Sequence, residues 1–414
     1  MTALAVRAPV RWLDAHARHV ALGAVVLSLV LAGGYAVLLG DTLRYLDERV
    51  YVQLAGSLAH GLGYSADGVQ ATAYRPPGYP FLLTPVYWAT GGSVLAMRFV
   101  GVLALAGSVW FGYRVGRRAA SAPAGALAAV VLACYPLLAY TATALYPQVP
   151  GLFLLLVTID RGFAAADDHR VGNVLAAGLC GGLLVITVPN FALSVVLVPL
   201  WMVWRRRAAR GVAAAILALV LAVPGAWCLR NAVSLHAFVP VSTNDGINLL
   251  LGNSEHTTAG SGTEVDISRY EQAARDAHLD EVGINGFFSD SAVDWITAHP
   301  ADAVVLYGKK LANTFSFSSD MATSGQGGGA ADLVLALTYY PVLLLAVLRV
   351  ALARRWPLTR VETLLAVLVV LNFLLQAVFF TRLRFRVPLD ALTIVLAASV
   401  VARFVRGSRG AQSG

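Results

Sequence analysis

The chain of 414 residues is 58% hydrophobic and only 13% charged, with a mean hydropathy of +0.68. A soluble domain carries about 25% charged residues, so a single water-facing globule is excluded and a polytopic membrane protein is indicated. The net charge of +8 does not point to nucleic acid: the basic residues, all arginine except Lys309 and Lys310, sit in short clusters between apolar runs rather than along one face.

In chain order, Arg7, Arg11 and Arg18 precede an apolar run from Val20 to Leu39. The run has the length of a full membrane span, whereas the apolar part of a signal peptide is about 7–15 residues, so it reads as a retained anchor. Further runs recur at about 92–113, 121–141, 147–160, 171–188, 190–204, 211–229, 331–350, 361–380 and 387–404. Ten spans are therefore expected, the fourth and sixth of them short. Cys134, Cys180 and Cys228 lie inside these runs, form no disulfide framework and read as small hydrophobes.

Arginine is divided unevenly between alternate connections. The set around Arg7, Arg114, Arg161, Arg205, Arg354 and Arg403 gathers most of the positive charge, whereas eighteen of the 23 acidic residues lie on the other side or at its edge. The positive-inside rule makes the arginine-rich side cytoplasmic, with both termini there. The opposite, extracytoplasmic face then receives 41–90, short turns near 143 and 189, the segment 230–330, and 381–386. That face lacks ATP and sugar nucleotides, so a group transfer there needs a lipid-linked donor. The chain divides into a membrane module 1–229 with a first external loop 41–91, an external soluble segment 230–330, and C-terminal spans 331–414.

The first external loop holds an adjacent acid pair, Asp47-Glu48, and an arginine tethered by two prolines, Arg75-Pro76-Pro77. Val50, Leu54 and Leu58 recur on one side of a helix predicted over 47–60, which Gly61 and Gly63 end. It is too short and too charged to span and belongs at the membrane surface. Pro76 and Pro77 postpone a second helix to Gly78. In the soluble segment a polar Gly- and Asn-rich run precedes a charged helix at about 267–281. Another helix is expected from a cap at Ser289-Asp290 to His299-Pro300, with His299 closing it. Gly325–Gly329 reads as a flexible linker. Arg98, about two turns into the second run, is expected to snorkel to the surface.

The pattern Asp47-Glu48, Tyr51, Ala55 after the first span, followed by GLGYS and by YRPPGYP at 74–80, resembles the bacterial members of the GT-C glycosyltransferase superfamily. These are relatives of the protein O-mannosyltransferases and of the lipid A aminoarabinose transferase. RNAVSLHAFVPVSTNDGINLLLGNS at 230–254, AVDWITAHPADAVVLYGKK at 292–310 and RLRFRVPLD at 382–390 are also similar to the family's text. The resemblance implies an all-α membrane fold with a seven-span module and two interfacial helices in the first external loop. It implies a bacterial plasma-membrane enzyme that transfers a sugar from a polyprenyl phosphate to a lipid, glycan or protein acceptor. Two positions depart from the family: Gln148 stands where relatives carry an acid, and Val188 where they carry arginine.

Such a transfer needs a base for the acceptor hydroxyl, cations for the departing phosphate and a pocket for the sugar. Asp47 is the candidate base, since repulsion between adjacent carboxylates favours proton uptake by one of them; as an alternative it caps its helix. Glu48 is a candidate catalytic helper or a solvated charge. Arg75, Arg382, Arg384, Arg386 and, more weakly, Arg230 are candidates for the donor phosphate, guanidinium being suited to bidentate binding. The alternation of the three arginines at 382–386 allows one or two of them to face one ligand. Tyr51, Tyr74 and Tyr79 either stack on a sugar or form an interfacial belt. Asn244, Asn248 and Asn253 either bind sugar hydroxyls or make turns. No cofactor is required, and a divalent cation is not favoured because no third ligand lies near the acid pair. The rival readings are a lipid-sugar transporter and an inactive scaffold of envelope assembly.

Overall fold

The computed structural model describes residues 2–205, 209–317 and 329–407, and these form helices without a strand. The membrane module consists of α1 (Thr2–Leu39), the short α2 (Leu46–Ala59) and α3 (Gly78–Thr90), then α4 (Val94–Ala119), α5 (Ala122–Cys134), α6 (Pro136–Thr143), α7 (Gln148–Asp168), α8 (Val171–Thr187), α9 (Ala192–Arg205) and α10 (Arg210–Ser234). The segment that follows folds as α11 (Asp245–Gly252), α12 (Ser268–Asp276), α13 (Glu281–Ala298) and α14 (Pro300–Asn313). The chain then returns through α15 (Gly329–Ala351), α16 (Arg360–Gln376) and α17 (Leu383–Gly407).

Each of the ten apolar runs is helical. Six of them, in α1, α4, α7, α10, α15 and α17, are individually long and apolar enough to cross a membrane. The α5–α6 pair makes a seventh, bent by 57°, because Pro136 has no N–H and interrupts the hydrogen-bond ladder. The shorter α8, α9 and α16 supply the remaining runs. Seven of the ten runs precede α11; of these, α1, α4, α7, α10 and the bent α5–α6 pair have spanning length, while α8 and α9 are shorter. Gly325, Gly327 and Gly328 of the expected linker, together with Arg206, Arg207 and Arg409, lie outside the described residues.

Local chemistry sets the helix ends. Ser93 Oγ accepts from Ala96 N at the start of α4. Thr359 and Glu362 form a reciprocal capping box at the start of α16. The centre of the bundle is α7 and α17, whose apolar stretches are 83% and 89% buried; those of α10 and α15 are only 22% buried and face outwards. Small residues allow close packing: a Cβ on Gly182 of α8 would lie 2.7 Å from Val223 of α10.

Three sequence expectations are corrected. The helix expected from Ser289-Asp290 begins eight residues earlier, because Asp280 Oδ1 accepts from Gly283 N and caps α13 there. His299 does end it, its ring bonded to Trp295 O. The turn 381–386 is mostly helix, since α17 starts at Leu383, so Arg384 and Arg386 are separated by a helical twist rather than sharing a strand face. Arg98 does not snorkel: its side chain is fully buried and ion-paired to Glu48.

Candidate active site

The acid pair sits in the first turn of α2, and the helical twist sends its two carboxylates to different places. Glu48 turns inwards and is fully buried. It accepts from the backbone N–H groups of Arg44 at 2.7 Å, Tyr45 at 3.2 Å and Leu145 at 3.1 Å, and from Arg98 Nη1 at 3.1 Å. Arg98 also donates to the carbonyls of Gly40, Thr42 and Thr143. This knot ties α4 to the start of the first loop and to the end of α6. Glu48 is thereby charge-paired within the protein and does not line the cavity described next.

Asp47 points the other way, into a cavity of about 660 Å³ between the first loop, the start of α7, the ends of α8 and α16, the start of α17, and the helices α11 and α12. Its Oδ1 lies 2.5 Å from Arg75 Nη2 and its Oδ2 lies 2.9 Å from Arg384 Nη1. The residues come from positions 47, 75 and 384, and their side chains are only 15–19% exposed. Charge-assisted bonds of this kind are about twice as strong as neutral ones.

Each arginine is held by its surroundings. The backbone of Arg75 is fixed by Pro76 and by Tyr64 Oη, which donates to the Arg75 carbonyl at 2.8 Å; its guanidinium lies over the Tyr74 ring. Arg384 lies over the rings of Tyr146 and Phe385. The Nε–H of both is buried without a partner.

One turn beyond Asp47, Tyr51 lines the cavity with its ring edge-on to Tyr79. Burial pushes its phenol up to about 12, although Arg75 opposes the shift, so it is a neutral hydroxyl at ordinary pH. Tyr74, Asn244 and Asn248 also line the cavity. So do both positions that depart from the family pattern, Gln148 and Val188. Gln148 Oε1 is buried there without a hydrogen-bond partner.

Other expected site residues are placed elsewhere. Tyr79 packs behind Tyr51 and does not line the cavity. Arg230 is occupied by the carbonyls of Thr72 and Tyr64 and stacks on Trp227. Arg382 is paired with Glu264 and bonded to Gly260 O, which fastens the strap 260–264. Arg386 is buried, paired with Asp390 and bonded to the carbonyls of Thr314 and Ser316. Of the arginine cluster 382–386, only Arg384 reaches the cavity. Asn253 is a structural amide that bonds Leu249 O and Val378 O.

Sequence reasoning did not single out Asp266, Glu271, Gln376, Phe379 or Phe380, which also line the cavity. The aromatic pair Phe379-Phe380 at the end of an apolar run was the available signal; Asp266 and Glu271 carry none. Lys310 was also missed. It is buried and donates to Gly252 O, Asn253 Oδ1, Val378 O and Phe379 O, so it clasps the wall of the cavity to α11. A second hollow of about 430 Å³ is lined by Asp67, His236, Asp280 and Glu281. Its carboxylates are committed to backbone N–H groups of Val69, Gln70, Gly283 and Ala73.

A profile of the family described as dolichyl-phosphate-mannose-protein mannosyltransferase matches residues 74–228. Among solved structures, the chain is similar to the archaeal oligosaccharyltransferase AglB of Archaeoglobus fulgidus in complex with an inhibitory peptide and a dolichol-phosphate. The TM-score is 0.55 and the identity 14%, over 97% of this chain and 53% of that one. The chain thus shares the fold of that membrane oligosaccharyltransferase structure. The apo form of the Archaeoglobus enzyme gives a TM-score of 0.55 at 15% identity, over 95% of this chain and 52% of that one. ArnT of Cupriavidus metallidurans bound to undecaprenyl phosphate aligns over 95% of this chain and 78% of its own, with 14% identity and a TM-score of 0.41. The chain thus spans about half the length of the oligosaccharyltransferase structures it matches. A search of curated protein sequences finds no significant match.

Proposed function

We propose that the protein is a membrane glycosyltransferase that moves a sugar from a polyprenyl-phosphate donor to an acceptor hydroxyl on the extracytoplasmic face. One observation carries this reading: the carboxylate of Asp47 and the guanidinium groups of Arg75 and Arg384 meet at the wall of one roomy, partly polar cavity. A carboxylate serves as general base for the acceptor hydroxyl. Two arginines supply the positive charge that a departing lipid phosphate needs, without calling for a metal ion. Tyr51, Tyr74, Gln148, Asn244 and Asn248 present rings, amides and a hydroxyl to a sugar. Direct attack by the acceptor inverts the anomeric carbon.

The shared fold and the mannosyltransferase-family match support glycosyl transfer as the class of reaction. The positive-inside argument supports the extracytoplasmic side, with both termini in the cytoplasm of a bacterial plasma membrane. Gln148 and Val188 bear on which sugar and acceptor are used, because both line the same cavity as Asp47.

The test uses the purified chain in proteoliposomes with labelled undecaprenyl-phosphate mannose, glucose, galactose and arabinose, together with membrane extracts as acceptors. Transfer of label from one donor into an acceptor is expected. Movement of the lipid-linked sugar across the bilayer without transfer would establish the transporter reading instead, and neither outcome with any donor would favour the scaffold.

A further inference from the structure

Asp47 spends both carboxylate oxygens on the two cations that the reading above assigns to the donor phosphate. A carboxylate so engaged takes up a proton only by giving up charge-assisted bonds, and arginines so engaged cannot fully grip another anion. The neighbouring knot shows what a finished ion pair looks like in this protein. Arg98 is fully buried and donates to Glu48 and to three carbonyls, whereas Arg75 and Arg384 each keep a buried Nε–H without a partner. Arg44 and Arg403 also keep such a donor, but Arg75 and Arg384 keep theirs at the cavity wall, where a phosphate has spare acceptor oxygens for both.

We infer that Asp47 is the resident stand-in for the donor's phosphate, and that Arg75 and Arg384 are handed from the carboxylate to the phosphate in the course of transfer. The inference rests on the glycosyltransferase reading and adds an order of events to it. The bound donor is a phosphodiester with one negative charge, and Asp47 carries another, facing two arginines. In the transfer step the proton of the acceptor hydroxyl moves to Asp47. The acceptor oxygen bonds to the anomeric carbon, and the bond from that carbon to the phosphate oxygen breaks with its electron pair going to the oxygen. Asp47 is then neutral and the lipid phosphate is a monoester with close to two negative charges, its second ionisation lying near pH 6. The negative charge opposite the two arginines is unchanged in total and has moved from carboxylate to phosphate. Proton uptake by Asp47 and departure of the lipid phosphate therefore assist each other through the same two side chains.

The experiment measures binding of undecaprenyl phosphate, the monoester product, to the full chain in nanodiscs at pH 7.5. It compares the unaltered protein, Asp47→Asn, the Arg75→Gln/Arg384→Gln pair and the triple combination. Asn reproduces the neutral state of Asp47, so Asp47→Asn is expected to bind about tenfold or more tightly. The arginine pair is expected to bind about tenfold or more weakly, and the gain from Asp47→Asn is expected to shrink to within twofold once both arginines are gone. If Asp47→Asn does not tighten binding, or tightens it equally without the arginines, the hand-over is wrong while the phosphate site stands. If the arginine substitutions leave binding unchanged, the phosphate site of the proposed function falls and takes the hand-over with it. Thermal unfolding and gel filtration check each variant. Should the arginine pair misfold, Arg384→Gln alone, with and without Asp47→Asn, completes the same cycle and decides it by the same criteria.

Discussion

Asp47 and Glu48 are neighbours in sequence with nearly the same side chain, and each is paired with arginine, yet the two pairs are built for different ends. Glu48 and Arg98 are both sealed from solvent, with three backbone N–H groups on the acid and three carbonyls on the base. Asp47, Arg75 and Arg384 are each 15–19% exposed and border a cavity, and two of their donors are left over. The first network is sealed in the core and holds structure, whereas the second lies at a cavity wall that a ligand can enter. The step of about 100° between successive helix positions decides which acid gets which role.

Substitutions on the two sides of this comparison should fail in different ways. The largest effect is expected at Asp47: Asp47→Asn should lower the transfer rate by ~10²–10⁴-fold, the usual cost of losing a general base, with little change in the unfolding temperature. Next, Glu48→Ala or Arg98→Ala should cost about 3–5 kcal/mol of stability, because each leaves the other charge buried and unpaired. Thermal unfolding reads this directly, and replacing both by apolar residues of similar volume should not restore the loss, because the backbone groups they bond would be left without partners. An equal loss of stability from Asp47→Asn would erase the distinction between the pairs.

A smaller effect is expected at Gln148. Gln148 lines the same cavity as Asp47 and has a buried Oε1 without a partner, and a hydrogen bond from a sugar or acceptor hydroxyl is worth about 0.5–1.5 kcal/mol. Gln148→Leu should therefore raise KM by roughly 2–15-fold with kcat little changed. The smallest concerns Tyr51. Its folded phenol is pushed up to about 12 by burial, while an unfolded tyrosine ionises near 10. Between those values the unfolded chain has lost a proton that the folded chain keeps, so stability falls as pH rises above about 10. Below pH 10 this contribution is fully present. Unfolding midpoints from pH 9 to 11 should fall more steeply for the unaltered protein than for Tyr51→Phe.

Much of this was legible in the sequence. Every apolar run proved helical, and six of them, or seven with the bent α5–α6 pair, have spanning length, since membrane spans are set by bilayer thickness rather than by partner contacts. The motif of the first loop brought out Asp47 and Arg75. What stayed hidden depends on contacts between residues far apart in the chain. Nothing local to Arg98 says that Glu48, fifty positions earlier, waits for it beneath the surface. Nothing local to the 382–386 cluster says that Glu264 takes Arg382, that Asp390 takes Arg386, and that only Arg384 is left for Asp47. Buried arginines and cavity arginines have the same spelling. The soluble segment was read least well, because Asp280 rather than Ser289 starts α13 and two competing caps in a polar run look alike.

The central claim is that the Asp47 carboxylate, held between Arg75 and Arg384, activates the acceptor for transfer from a polyprenyl phosphate. The most direct measurement compares the initial rate of label transfer from the preferred undecaprenyl-phosphate sugar by the unaltered protein and by Asp47→Asn, reconstituted side by side and matched for folding. The account predicts a rate at least a hundredfold lower for the variant, with the lipid donor still bound. Full transfer activity in Asp47→Asn would contradict it.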